Sequence, residues 1–308
     1  VWHLSVSLLI VMLRLALALC VVVPSILCMS PYLVGPTYGF SGPNSVKLIS
    51  LDQSSPEYLQ TLYSEPQDTL SLTGSCSDPM ESKFYTVSGG MVYTWNVTQT
   101  DAIPMLGYRI SNSRGLNNIE FDTVTKRVTG LQVLAASAYI VSIDPNSGQL
   151  VQEHKIFNDN GGFFNGACTY SSKDSVFYQV ISTDQHYLMA VNLKNGGETL
   201  LPLTSTPENM VFDDSAGLIY ALVDKTLHSI DPVTGSMVQI NPFVAPTLCE
   251  SYDRLLDPLN RVYYSLHMAG EYPEVAMALY CYDLVSGEEV CGGGSMDFEV
   301  EKGRVVLA

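Results

Sequence analysis

At 308 residues the chain could hold one large domain or two ordinary ones, and 46% hydrophobic against 15% charged side chains exclude a disordered polymer. The 31 acidic residues outnumber the 15 basic ones, and the net charge of −16 repels phosphates and anionic lipid, which argues against a nucleic-acid partner. An acidic surface by itself need do no more than keep a protein soluble.

From Val1 to Met29 the chain is nearly all apolar, with His3 and Arg14 as the ionisable exceptions. Met12-Leu13-Arg14 reads as a short positive start and Leu15 to Val23 as an apolar core. Pro24-Ser25 and Cys28-Met29-Ser30 supply the helix breaking and small residues of a cleavage region. Residues 1–30 are therefore expected to be a secretory signal with its true start at Met12, cut after Ser25 or after Ser30; an uncleaved signal anchor is the alternative. Residues 31–44, with their Gly, Pro and Ser, read as a lead-in linker, and 45–308 as one domain. The expected location is extracellular or the lumen of the secretory pathway, with no membrane contact after cleavage. Asn96-Val97-Thr98 fits that setting as an N-glycosylation sequon.

The domain repeats itself. A strand ends in an acid or amide, turns through Ser, Thr, Asn or Gly, and returns. The clearest copies are Ile143-Asp144-Pro145-Asn146-Ser147-Gly148, Ile230-Asp231-Pro232-Val233-Thr234-Gly235 and Tyr282-Asp283-Leu284-Val285-Ser286-Gly287. Weaker copies turn at Asp52, Asn96 and Asn192, and the spacing is roughly 40 to 50 residues, the period of a propeller blade. Asp or Asn accepts hydrogen bonds from the turn amides, and Gly takes the left-handed position. A second hairpin precedes each turn, as in Phe212-Asp213-Asp214-Ser215-Ala216-Gly217-Leu218-Ile219-Tyr220, so each unit holds four strands. Residues 45–63 carry only the later hairpin of a unit and residues 296–308 only the earlier one. The expectation is an all-β chain: a six-bladed β-propeller of four-stranded antiparallel blades, closed by strands from both termini.

Lines such as Leu218-Ile219-Tyr220-Ala221-Leu222 and Leu227-His228-Ser229-Ile230-Asp231-Pro232-Val233-Thr234-Gly235 resemble six-bladed propellers of the NHL, YVTN and gluconolactonase-like groups. No Trp-Asp dipeptide recurs, unlike the WD40 type. The segment Asn165-Gly166-Ala167-Cys168-Thr169-Tyr170-Ser171 looks like a metal-binding segment of gluconolactonase-like hydrolases. That resemblance implies Asn118, Asn165 and Asn209 as ligands of a Ca or Zn ion in the channel, although the family's metal-binding acids have no match here.

Candidate sites follow from where blade loops cluster. Cys76, Asn118, Cys168, Met210, Cys249 and Met296 fall at similar places on the inner strands, and small buried hydrophobes suit such places as well as soft-metal ligands do. Cys281 and Cys291 flank a hairpin turn and are placed to bridge it. Phe163, Phe164 and Asn165, with Asp184 and His186, and with His267, Glu271 and Tyr272, are expected on one loop face, as a shallow aromatic and acidic surface. The histidines form no triad and no Gly-x-Ser-x-Gly elbow occurs. The sequence thus points to a binding propeller, expected as a monomer without cofactor, that takes a protein, carbohydrate or small-molecule ligand; a metal-dependent hydrolase of the gluconolactonase-like kind is the alternative.

Overall fold

The computed structural model describes residues 32–37, 45–50, 59–64, 72–78, 81–96, 105–110, 116–134, 137–156, 163–240, 251–257, 261–269, 276–291 and 295–296, apart from positions 82, 89 and 225. All regular structure among them is β-strand. A three-stranded sheet holds β1 (Tyr32–Thr37), β2 (Ser45–Ser50) and β3 (Leu59–Ser64) in that order. Residues 32–37, read from the sequence as linker, thus form a strand.

Four-stranded antiparallel blades follow. The first holds β4 (Leu72–Asp78), β5 (Lys83–Ser88), β6 (Met91–Asn96) and β7 (Met105–Arg109). The second holds β8 (Leu116–Asp122), β9 (Arg127–Leu134), β10 (Ser137–Ile143) and β11 (Leu150–Ile156). The third holds β12 (Phe163–Ser171), β13 (Val176–Ser182), β14 (His186–Asn192) and β15 (Glu198–Leu203). The fourth holds β16 (Glu208–Asp213), β17 (Leu218–Val223), β18 (Thr226–Ile230) and β19 (Met237–Gln239). The fifth holds β20 (Ser251–Asp257), β21 (Val262–Ala269), β22 (Ala276–Asp283) and β23 (Glu289–Cys291), with β24 (Ser295–Met296) also paired to β22.

The first strands β4, β8, β12, β16 and β20 lie side by side in chain order, which makes them the inner strands of a propeller. Two expectations are corrected. The described residues contain five four-stranded blades, not six, and Met296 is no inner strand of a closing blade but pairs with Met277 of β22. Two-residue β24 satisfies its backbone on the nearest open strand, three residues beyond β23, and local pairing of this kind closes the shortest loop. Residues 297–308 lie outside the described residues, and closure by both termini is not shown.

Among the described residues the apolar alternation of the strands fills four cores, each between two successive blades. Cys76, Tyr85, Val92, Phe121, Val128 and Ile143 join the first blade to the second. Leu131, Ile140, Tyr170 and Phe177 join the second to the third, Tyr178, Val180, Phe212 and Ile219 the third to the fourth, and Tyr220, Leu227, Tyr263 and Tyr282 the fourth to the fifth. A middle strand therefore feeds two cores from its two faces, which is why β13 reads as the continuous run Val176-Phe177-Tyr178-Gln179-Val180-Ile181 rather than as strict alternation.

The four described outer turns form as the sequence predicts, and those expected at Asp52 and after Asn96 lie outside the described residues. Asp144, Asn192, Asp231 and Asp283 each accept at Oδ1 from the amide two residues on, at 2.9, 2.9, 2.8 and 2.7 Å. Gly148, Gly196, Gly235 and Gly287 close them at φ of 68, 74, 74 and 72°. The carboxyls are shifted. Bonds from the Val233 amide hold Asp231 below its ordinary pKa, and bonds from the Ser286 and Val285 amides do the same for Asp283. Burial pulls Asp144 upward, but bonds from Asn146 and Ser147 outweigh it and leave the group lowered. A depressed folded pKa stabilises the fold above the ordinary carboxylate range, and that contribution is lost as pH falls through the folded value. Acidification from about pH 6 to about pH 3 is therefore expected to lower the melting temperature. Asn192 makes the same turn bonds without a charge, so a triple D144N/D231N/D283N variant should lose less on acidification; an unchanged slope would remove these turns as the cause.

Candidate functional site

One loop end with organised polar chemistry belongs to the third blade. Phe163 pairs with Ser182 across β12 and β13, and Ser182 pairs with His186 across β13 and β14. Three sequence candidates, Phe163, Asp184 and His186, thus meet at one end of one blade. Thr183 donates its amide to the Gln185 carbonyl at 2.8 Å and its hydroxyl to Asp184 Oδ1 at 2.9 Å, which fixes the turn. His186 Nδ1 lies 3.1 Å from Ser182 Oγ and 3.0 Å from Thr206 Oγ1. Thr206 comes from the segment that leads into the fourth blade, so the imidazole ties the β13–β14 turn to that crossing. Asp184 and Gln185 stay exposed on this braced turn.

The node can orient an imidazole but does not assemble a hydrolytic relay. Both neighbours of Nδ1 are hydroxyls, not the carboxylate that orients the imidazole in a Ser-His-Asp triad.

Phe164 and Asn165 lie in β12, with Phe164 paired to Ile181, and the side chains of Phe163, Phe164 and Asn165 lie outside the described residues. His267 lies in β21 of the fifth blade, opposite Ser251 and Ala278, and Glu271 and Tyr272 lie outside the described residues. Asn96 ends β6 opposite Lys83, as Asn192 ends β14 opposite Val176, so it occupies the Asx position of its blade. Cys281 is disulfide-bonded and its ladder partner is Cys291.

The two described asparagines of the metal reading serve the backbone. Every inner strand breaks register: at Leu72/Gly74, Asn117/Glu120, Phe164/Cys168, Glu208/Val211 and Ser251/Asp253. Asn118 and Asn209 sit in two of these bulges at φ of 52 and 50°, a conformation Asn tolerates better than most residues. Their carbonyls accept from the next blade, Asn118 from Cys168 Sγ at 3.5 Å and Asn209 from Tyr263 Oη at 2.8 Å. Among the described residues no three His, Cys, Asp or Glu side chains gather as metal ligands. Cys76 and Cys168 lie in different inter-blade cores, and burial, with Glu120 and Asp78 nearby, pushes the Cys76 thiol up and keeps it protonated. Cys249 lies outside the described residues.

What sequence reading missed is a polar seam at the other end of the inner strands. Lys126 Nζ reaches Asp78 Oδ2 at 2.9 Å, Tyr170 Oη donates to Asp122 Oδ2 at 2.9 Å, Ser171 Oγ donates to Asp214 Oδ1 at 2.7 Å, and Arg261 pairs with Asp213. Each pair joins one blade to the next. Burial, then the Asp122 charge, pushes the Tyr170 phenol well up, so it remains a donor. Asp78, Asp122 and Asp213 are buried, so each needs these partners. The signal was in the sequence: Asp78–Lys126, Asp122–Tyr170 and Asp213–Arg261 are each separated by 48 residues, one blade.

Fold and seam define the class as a β-propeller of four-stranded antiparallel blades. The chain superposes on one from the crystal structure of the nidogen/laminin complex with TM-score 0.61 and 11% identity, covering 90% of this chain and 98% of that one. TolB from Acinetobacter baumannii gives 0.61 and 12%, covering 91% and 67%, and a TolB-like protein from Agrobacterium tumefaciens gives 0.59 and 10%, covering 84% and 87%. No family model and no curated protein matches the sequence. At such identities the likeness is one of fold. No helix among the described residues is long and apolar enough to cross a membrane.

Proposed function

We propose that the chain is a secreted or lumenal binding propeller that presents the loop end of its third blade to a partner and catalyses no reaction on it. The carrying observation is the His186 node, which braces an exposed turn bearing Asp184 and Gln185 against the crossing to the next blade at 3.1 and 3.0 Å. A braced turn loses little entropy on binding. A fold neighbour taken from a nidogen/laminin complex supports a protein as the partner class. The same reading includes a removed signal over residues 1–30, a glycan on Asn96, a Cys281–Cys291 bond and a monomeric state.

The test is affinity capture from the medium of a secreting cell line, using the full chain expressed through the secretory pathway. A partner retained by the parent chain should be lost with an Asp184→Lys, His186→Ala pair. Lys194→Glu, at the opposite end of β14, should retain it. Equal capture by all three would refute the site, and no saturable partner at all would refute the function. Stoichiometric Ca²⁺ or Zn²⁺ in the same preparation would favour the hydrolase alternative instead.

A further inference from the structure

The four outer turns use one device at the residue before their glycine. Ser147, Thr234 and Ser286 each accept at the hydroxyl from the amide just after the glycine, at 3.3, 3.2 and 3.2 Å. In the third blade Asn195 does this with its carboxamide oxygen, accepting from the Gly197 amide at 2.9 Å. That substitution changes the chemistry. An asparagine followed by glycine is the pair in which the next main-chain nitrogen attacks the carboxamide carbon most readily, because no side chain crowds the approach.

We infer that Asn195 is a latent modification site, an exposed deamidation centre that the folded hairpin holds unreactive. In the reaction the Gly196 nitrogen loses its proton and bonds to the Asn195 carboxamide carbon. Ammonia leaves and a cyclic imide forms. Water then opens the imide to aspartate or to isoaspartate, whose main chain runs through the former side chain. The native turn opposes both requirements. Gly196 N donates to the Asn192 carbonyl at 2.8 Å, so its proton is held, and the Asn195 carboxamide is turned onto Gly197. Asn195 is exposed, so water and base have access once the turn opens. Opening is therefore the gate.

The consequence falls on the junction with the second blade. A Cβ on Gly196 would stand 3.1 Å from the His154 ring, and His154 Nε2 lies 3.2 Å from Glu198 Oε1. The extra main-chain methylene of isoaspartate would displace Gly196 from that contact and part the outer edges of the two blades.

The experiment incubates the full chain, folded and in concentrated urea, in mildly alkaline buffer, and follows the gain of about 1 Da at residue 195 by peptide-resolved mass spectrometry. Peptide resolution separates it from Asn160-Gly161 and Asn165-Gly166. The folded chain should react at least about tenfold more slowly than the unfolded one. Asn192→Ala, which removes the acceptor of the Lys194 and Asn195 amides at 2.9 and 3.3 Å, should speed the reaction in the folded chain. Asn195→Ser, the residue used in the second and fifth blades, should abolish the gain at that peptide. Equal rates folded and unfolded, or an unchanged rate in folded Asn192→Ala, would overturn the inference.

Discussion

Arg261→Met is expected to destabilise the chain by about 3 kcal/mol, a fall in melting temperature of roughly 6–12 °C. Its partner Asp213 has a side chain with 0% exposure, while Arg261 remains 28% exposed. The guanidinium also donates to Tyr220 Oη at 2.8 Å and lies 5.8 Å from that ring centroid. Methionine keeps the stem but leaves the carboxylate buried with only its turn partners, the Ser215 amide and hydroxyl and the Ala216 amide. A buried charge left without its counter-ion is what makes such losses large. The double-mutant cycle with Asp213→Asn checks this, since asparagine can keep the turn bonds and carries no charge. Arg261→Met should then cost under about 1 kcal/mol, and an undiminished cost would show that stem packing, not charge, is what the arginine supplies. Lys126→Met should follow the same rule more weakly, because Lys126 is 43% exposed.

Gly235→Ala should cost about 3 kcal/mol, against about 1 for Gly217→Ala. Both glycines are left-handed, at φ of 74 and 68°, so both substitutions bear the same backbone penalty. Only Gly235 lies against another blade: a Cβ there would stand 2.8 Å from the Pro202 carbonyl oxygen, whereas nothing lies within 4 Å at Gly217. Urea unfolding of the two variants reads the difference directly, and equal losses would mean that blades do not interlock through these turns. A Cβ on Gly148 or Gly287 would stand 2.5 or 2.8 Å from the Arg109 or Ile240 carbonyl oxygen, so the interlock recurs.

Much of the blade grammar was legible because it is local. Asp144, Asn192, Asp231 and Asp283 bond amides two and three residues away, so their turns need no knowledge of the rest of the chain. Phe212 to Tyr220 likewise shows its hairpin, with Asp213 folding over Ser215 and Ala216. The site was legible only in part. Asp184 and His186 could be placed on a loop end from strand order, but the clamp on His186 needs Thr206, which is 20 residues away and belongs to the next crossing. Asn118 and Asn209, ligands by the resemblance alone, also sit in bulges, where a short polar side chain is favoured for backbone reasons.

What the sequence by itself determined is the strand–turn repeat, its blade period and the chemistry of each outer turn, because backbone geometry at Asp, Asn, Pro and Gly is decided within a few residues. Only the tertiary structure decided how many four-stranded blades the described chain forms, that Met296 pairs with β22, and that Asp78, Asp122 and Asp213 face partners one blade away. Those outcomes depend on which buried groups find each other across the chain, and burial is a property of the assembled blades rather than of any one segment.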